Sequence, residues 1–317
     1  MADIYLEKDR IKNCFDKLEE SDLSNANKQD LRDFTSYLMA EDLSDHKIYR
    51  YIQTFRVLSP VIDFNLRDAE RKDLIQLVGR INQDRIPEKS YAPESKAELK
   101  KAFRRFYKWK FPDREKELIG FISTHVKRSD RKRVDPDQLP SPSQVDRLIT
   151  EAKNLRDKLM ISLLWESGAR VGEFLKLDWE DIQFQEDFIR VTLNGKTGQR
   201  TIPVVDSRKY LEDWQSYQYG HYDPVFTSLH SESRLSYSAC NKAIKRNADK
   251  ADLECKVNPH AFRKSRATFL ASQGANVFQL MEFFGWSQAE TAKTYVRLAQ
   301  SDVDDLVKSV SRRDVHF

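Results

Sequence analysis

Apolar residues recur at intervals of three and four through roughly the first 120 residues, which predicts a run of amphipathic helices. In "SDHKIYRYIQTFRVLSPVI", Ile48, Ile52, Phe55 and Leu58 share one helical face. In "SKAELKKAFRRFYKWKF", Leu99, Phe103 and Phe106 form the apolar stripe, while Lys100, Lys101, Arg104, Arg105 and Lys108 gather on another side. Most of the aromatic residues of that stretch are assigned to the core, ahead of a role in stacking on bases. Pro112 ends the helix, because proline offers no N–H to the helical ladder.

The period then disappears. "HVKRSDRKRVDPDQLPSPSQ" (125–144) is basic, rich in proline and without repeat, and reads as a linker. Its end is a helix start, with Ser141 as cap, Pro142 in the first helical position and Gln144 completing a capping box. The helix it opens is expected to run to Gly168, a glycine suited to a left-handed C-terminal cap. "FIRVTLNGKTGQRTIPV" switches to period two: Ile189, Val191 and Leu193 alternate with Arg190 and Thr192, the chain turns at "NGKTG" and returns through Ile202 and Val204. This is the one clear β signal, an antiparallel hairpin with Lys196 at its tip. Helices resume: Asn258 and Pro259 open one that ends at Gly274, and Asn276 opens a short one that ends at Gly285. Ser287 and Glu290 form a capping box before the last. The pattern predicts a mainly α protein with a small antiparallel β-sheet. Its parts are a helical N-terminal domain over 1–122, a basic linker over 123–139, an α+β domain over 140–300, and a tail over 301–317. In the tail, Val303, Leu306, Val307 and Val310 suit a short helix capped by Ser301 or Asp304.

Composition changes this picture in two places. A chain of 317 residues buries a sizeable core, and its net charge of +4 says little, but the charge is unevenly spread. Residues 96–133 hold 14 Lys or Arg against 5 Asp or Glu, whereas residues 1–80 hold 13 against 16. The basic block suggests a polyanion-binding surface, with Arg131, Lys132 and Arg133 joining the helix cations as candidates; the ordinary alternative is a solvated helix face. Cys14, Cys240 and Cys255 are too far apart for a disulfide framework or a CxxC metal site. The opening "MADIYLEKDR" lacks the apolar core of a signal peptide, and runs such as "LMISLLW" are too short to span a bilayer. A soluble cytoplasmic protein is expected.

The candidate chemistry is gathered near the end. His260 and Arg263, three apart on one helix, share a face. Arg170 follows the "ESGAR" turn, and Glu173, one turn on, is placed to hold its guanidinium. Trp286 follows a glycine cap, and Tyr295 stands nine positions later. Singly, each has an ordinary role: core packing for Trp286 and Tyr295, a solvated turn for Lys196, a capped-helix histidine for His260. Together they suit phosphodiester chemistry. Two fork-shaped guanidiniums clamp the non-bridging oxygens as their charge grows in the transition state. A tyrosine attacks once a base or positive field assists it, and a lysine donates a proton to the departing alkoxide. That set requires neither metal nor cofactor.

In this order, the boxes "SGARVGEFLKL", "NGKTGQRTIPV", "NPHAFRKSRAT" and "FFGWSQAETAKTYV" resemble the tyrosine recombinase (integrase) family over roughly 141–300, the archaeal and viral integrases and the Xer proteins above all. The resemblance implies that Tyr295 attacks the scissile phosphate to give a 3′-phosphotyrosyl enzyme and that Arg170 and Arg263 hold the phosphate. It further implies that His260 assists proton transfer, Lys196 protonates the leaving 5′-oxygen and Trp286 donates its indole N–H. It makes the N-terminal helices a SAM-like core-binding domain, and the whole a two-domain DNA clamp. The implied partners are double-stranded DNA carrying a specific attachment or recombination site, four copies of the chain joined on DNA through the tail, and accessory DNA-bending factors. The setting is a prokaryotic or virus-infected cell, with viral integration, chromosome dimer resolution and element excision all within the family's range. Two positions depart from the family: histidine is commoner at 286, and Lys264 stands where a second histidine often does. The rivals are a type IB topoisomerase, with the same chemistry, and a catalytically silent DNA-binding protein on the same fold. The tail favours the recombinase over the first, and the complete residue set argues against the second.

Overall fold

The computed structural model describes residues 7–86, 90–127, 135–195, 198–218, 223–229 and 231–299, which fall into two compact units, one up to residue 127 and one from residue 135. The first is all helical: α1 (Glu7–Glu19), α2 (Asn25–Ala40), α3 (Asp45–Leu58), α4 (Arg71–Asn82), α5 (Pro93–Lys110) and α6 (Glu115–Ile119). The stripes read from the sequence face its core, with Ile48, Ile52, Phe55 and Leu58 of α3 and Leu99, Phe103 and Phe106 of α5 all buried. The aromatic residues pack on one another, Phe34 meeting Phe106 edge-on at 5.3 Å. Asp30, fully buried on α2, is held by Arg67 and by Lys110 of α5, each at 2.9 Å, which ties the two helices through a paired charge. The α5 helix stops at Lys110, ahead of Phe111 and Pro112.

The second unit wraps helices around a small sheet. Its order is α7 (Pro142–Glu151), α8 (Leu155–Ser167), α9 (Val171–Phe174), β1 (Ile182–Phe184), β2 (Ile189–Gly195), β3 (Gly198–Val204), α10 (Arg208–Gln218), β4 (Thr227–Ser228), β5 (Ser231–Arg234), α11 (Tyr237–Lys250), α12 (Pro259–Ser272), α13 (Val277–Phe284) and α14 (Ala289–Ala299). Strands β1, β2 and β3 make an antiparallel sheet in that order, Ile189 facing Val204 and Val191 facing Ile202. The alternation works as read: Ile189, Val191, Leu193, Ile202 and Val204 are buried against α8, which is buried on nearly every side. The fold class is thus mainly α with a small antiparallel sheet.

Several boundaries differ from the pattern. The helix expected from 142 to 168 is two helices. The capping box of Ser141 and Gln144 opens α7 as expected, but Ala152 is extended and Asn154 caps a fresh start by accepting the Asp157 N–H at 2.8 Å. Strand β1 and the β4–β5 pair escaped the sequence reading because they are too short to show alternation. Helix α14 begins at Ala289, one residue later than a Ser287 cap would start it. The tail over 301–317, with its expected helix, lies outside the described residues, as do Lys196 and the linker residues Arg131, Lys132 and Arg133.

Candidate active site

Helix α8 ends on Gly168 with φ +53°, the left-handed cap that its sequence position suggested. The close packing there also demands glycine, since a Cβ would lie 2.4 Å from the ring of Phe284. Two residues on, Arg170 caps α9. Its backbone N–H reaches Glu173 Oε2 at 3.2 Å, its Nη1 reaches Oε1 at 2.8 Å, and its Nη2 donates to the Gly285 carbonyl at 3.3 Å. Glu173 is buried and holds a second guanidinium, that of Arg200 on β3, at 2.8 Å. Burial alone would raise the Glu173 pKa, but the hydrogen bonds from Arg200 and Arg170 outweigh it and hold the carboxyl below its usual value.

Arg263 enters from α12, which opens as the sequence predicted: Asn258 accepts the Ala261 N–H at 2.9 Å and Pro259 takes the first position. The Arg263 side chain is buried, with Nη1 on the Gly168 carbonyl at 2.7 Å and Nη2 on the Phe284 carbonyl at 2.6 Å. Burial, with Arg170 and Arg200 as neighbouring like charges, lowers its pKa to about 9, so it remains charged at neutral pH. His260 lies one turn earlier and keeps an exposed edge; desolvation, then the charges of Lys264 and Arg263, lower its pKa and favour the neutral imidazole.

The end of α13 organises the site. Gly285 caps it at φ +61°, and the carbonyls of Phe283, Phe284 and Gly285 accept from Arg200, Arg263 and Arg170 in turn. Helix C-termini leave carbonyls unpaired and carry partial negative charge; here three guanidiniums from three other elements satisfy both needs. Beyond the cap, Trp286 stacks between Phe284 (4.7 Å, 18°) and Tyr295 of α14 (5.2 Å, 8°), and Arg263 lies over the Phe284 and Trp286 rings at 5.0 and 5.4 Å. Tyr295 is buried; burial raises its pKa while Arg263 pulls it down.

The structure therefore gathers Arg170, Glu173, Arg263, Trp286 and Tyr295 and places His260 one turn from Arg263. Lys196 is outside the described residues, but Gly195 just before it packs on Glu173 so closely that a Cβ would stand 2.3 Å from Oε1. The site also contains Arg200, which the sequence reading passed over. Its signal was present: Arg200, Ile202 and Val204 share one face of β3, so a cation occupies an inward position of the alternation. Three guanidiniums around one carboxylate leave a surplus of positive charge beside a tyrosine, which is chemistry for an anionic ester.

The cations of α5 behave differently. Arg105 pairs with Glu41 and lies over Tyr37, Lys101 pairs with Glu98 at 2.6 Å, and Lys108 stands 3.8 Å from Glu115. Lys100 donates to Asn82 at 3.3 Å, and Arg104 has no ion-pair partner among the described residues. No described helix is long and apolar enough to cross a membrane.

Residues 140–302 match the phage integrase family. The chain is 28 % identical over 303 residues to tyrosine recombinase XerD of Shewanella oneidensis, covering 91 % of this chain and 90 % of that protein. It is 24 % identical over 287 residues to a tyrosine recombinase of Pseudothermotoga lettingae, covering 88 % and 97 %. Among solved structures, the fold resembles XerH site-specific recombinase bound to palindromic difH substrate (TM-score 0.66, 17 % identity, 96 % of this chain and 89 % of that one). It also resembles a lambda integrase tetramer bound to a Holliday junction (TM-score 0.62, 14 % identity, 89 % and 81 %). More than half of its length lies inside the family match, and that half carries the arginines, the tryptophan and the tyrosine gathered around the end of α13: the chain belongs to the phage integrase family and is a tyrosine recombinase.

Proposed function

We propose that the protein cuts and rejoins DNA at a specific site through a 3′-phosphotyrosyl intermediate formed by Tyr295. The observation that carries this reading is the convergence of Arg170, Arg263 and Arg200 on three successive carbonyls, next to a tyrosine stacked on Trp286. Arg170 and Arg263 have donors aimed from fixed backbone anchors, so little reorganisation accompanies charge build-up on the phosphate. In the step, Tyr295 Oη bonds to phosphorus, the bond to the 5′-oxygen breaks, and the tyrosyl proton leaves. His260, held towards its neutral form, is suited to take a proton at the phosphate, and Lys196 gives one to the 5′-oxygen. Trp286 offers its indole N–H to a non-bridging oxygen. A 5′-hydroxyl from another strand reverses the step without ATP, because the phosphotyrosyl bond conserves the energy of the original ester.

Strand exchange needs active sites facing one another around a closed assembly, so we assign the chain a four-copy ring on DNA. Residues 301–317 serve as the connector between copies, and the helical N-terminal unit, with the α5 cations, contributes to DNA binding. Accessory DNA-bending factors fit this scheme as aids to bringing two sites together. Nicked suicide duplexes tiled across the DNA flanking the gene test the chemistry. The wild type should form a slow-migrating covalent adduct, in the presence of EDTA as without it, and Tyr295→Phe should form none. An adduct that persists in Tyr295→Phe, or one that EDTA abolishes and magnesium restores, overturns the mechanism.

A further inference from the structure

We propose that Arg200 is a positioning residue for the phosphate clamp, an inference that rests on the phosphotyrosyl reading of the site. Its side chain is 11 % exposed and divides its donors between two partners: Nη2 binds Glu173 Oε2 at 2.8 Å, and Nε binds the Phe283 carbonyl at 3.0 Å. The first partner orients Arg170, through Nη1 on Oε1 and the backbone N–H on Oε2. The second belongs to the helix end that carries Arg263's acceptor, the Phe284 carbonyl, and leads directly into Trp286.

Arg200 thus joins the two halves of the clamp. It stands on β3, opposite Leu193 and two rungs from the Gly195–Gly198 pair. One rigid, planar group therefore links the hairpin, the Arg170 turn and the α13–α14 junction. A guanidinium does this because its donors point along fixed, divergent directions; an ammonium is a single point with no such fork. The packing leaves the group little freedom, since a Cβ on Gly285 would come within 3.2 Å of its Nη1 and Cδ. With Nη2 turned to Glu173 and Nε to Phe283, Arg200 acts through its neighbours.

Without Arg200, Glu173 Oε2 retains only the Arg170 backbone N–H, and the carboxylate is free to rotate away from Oε1–Nη1 alignment. Arg170 then meets the phosphate from a poorer position. A misplacement of that kind, away from the reacting atoms, slows reaction by about 100-fold.

The test compares two scissile linkages in the nicked suicide duplex, an ordinary phosphodiester and a methylphosphonate. The second lacks the negative charge that the clamp neutralises, so a defect transmitted through the clamp should shrink on it. Arg200→Ala is expected to slow adduct formation about 100-fold on the phosphodiester and less than about tenfold on the methylphosphonate, with duplex affinity unchanged. Arg200→Lys, which keeps the charge but not the fork, should show the same substrate preference in milder form. If Arg200→Ala does not fold by thermal unfolding, the ratio of the two rates in Arg200→Lys decides. A wild-type rate on the phosphodiester, or an equal loss on both linkages, overturns the positioning role. The two readings fail separately, because an adduct retained by Tyr295→Phe overturns the nucleophile and not the role of Arg200.

Discussion

Replacing Glu173 with Gln removes one charge and almost no volume, and the structure sets what that costs. The carboxylate is 4 % exposed and bonds two guanidiniums at 2.8 Å, one of them 11 % and the other 39 % exposed. Removing one partner from a buried ion pair costs about 3–5 kcal/mol. Water relieves part of this at the more exposed Arg170, and the amide oxygen still accepts one bond, so we expect a loss of about 2–4 kcal/mol. For a unit of this size that corresponds to a fall in Tm of roughly 5–15 °C. The pH dependence carries a signature. Glu173's folded pKa lies below its unfolded value of about 4.3, so its contribution is complete above that value and is lost as pH falls through the folded pKa. Urea unfolding of both proteins, at pH values from about 7 down to about 3, should show a constant gap near neutrality that closes in acid. A gap below about 0.5 kcal/mol at neutral pH, or one that stays unchanged in acid, would refute the claim that this carboxylate holds the arginines in place.

Two further outcomes test the roles proposed for the α5 cations and for the tail. Replacing Lys100, Arg104 and Arg105 with Ala should weaken binding to all duplexes alike and reduce the log–log salt slope by about 0.9 for each phosphate no longer neutralised; Arg104, which has no ion-pair partner among the described residues, should matter most. A slope unchanged in a salt titration returns this face to ordinary solvation. Truncation after Gln300 should leave single-site binding intact in gel shifts and impair pairing and recombination of two duplexes, and full recombination by the truncated chain would remove the tail from the assembly.

Local chemistry explains what could be read from the sequence. Ser141 and Gln144, Asn258 and Pro259, Asn276, Gly168 and Gly285 act on neighbours within a turn, so their roles are written in a few adjacent letters. The break between α7 and α8 was hidden because apolar residues continue on both sides of it, and only the Asn154 side chain competing for the Asp157 N–H ends the ladder. Partners distant in sequence were also hidden. The pairing of Arg105 with Glu41 spans 64 positions, so a basic stripe on α5 looked freer than it is. Arg200 does not stand out in the sequence because its partners are 27 and 83 positions away. Arg170, Glu173, Arg263, Trp286 and Tyr295 stand out through their joint order and spacing, while the carbonyls at the end of α13 that hold Arg170 and Arg263 required the fold.

The cap at Gly168 has a consequence for genetics. A side chain there meets two separate obstacles, a left-handed backbone that costs an ordinary residue about 1–2 kcal/mol and a ring atom of Phe284 at 2.4 Å. A second-site change that shrinks Phe284 would clear the collision and leave the backbone strain. It would also take away the ring that lies under Arg263 and flanks Trp286. A screen for intragenic suppressors of Gly168→Ala should therefore return true revertants and few compensating pairs. At this position, the cure is as damaging as the lesion.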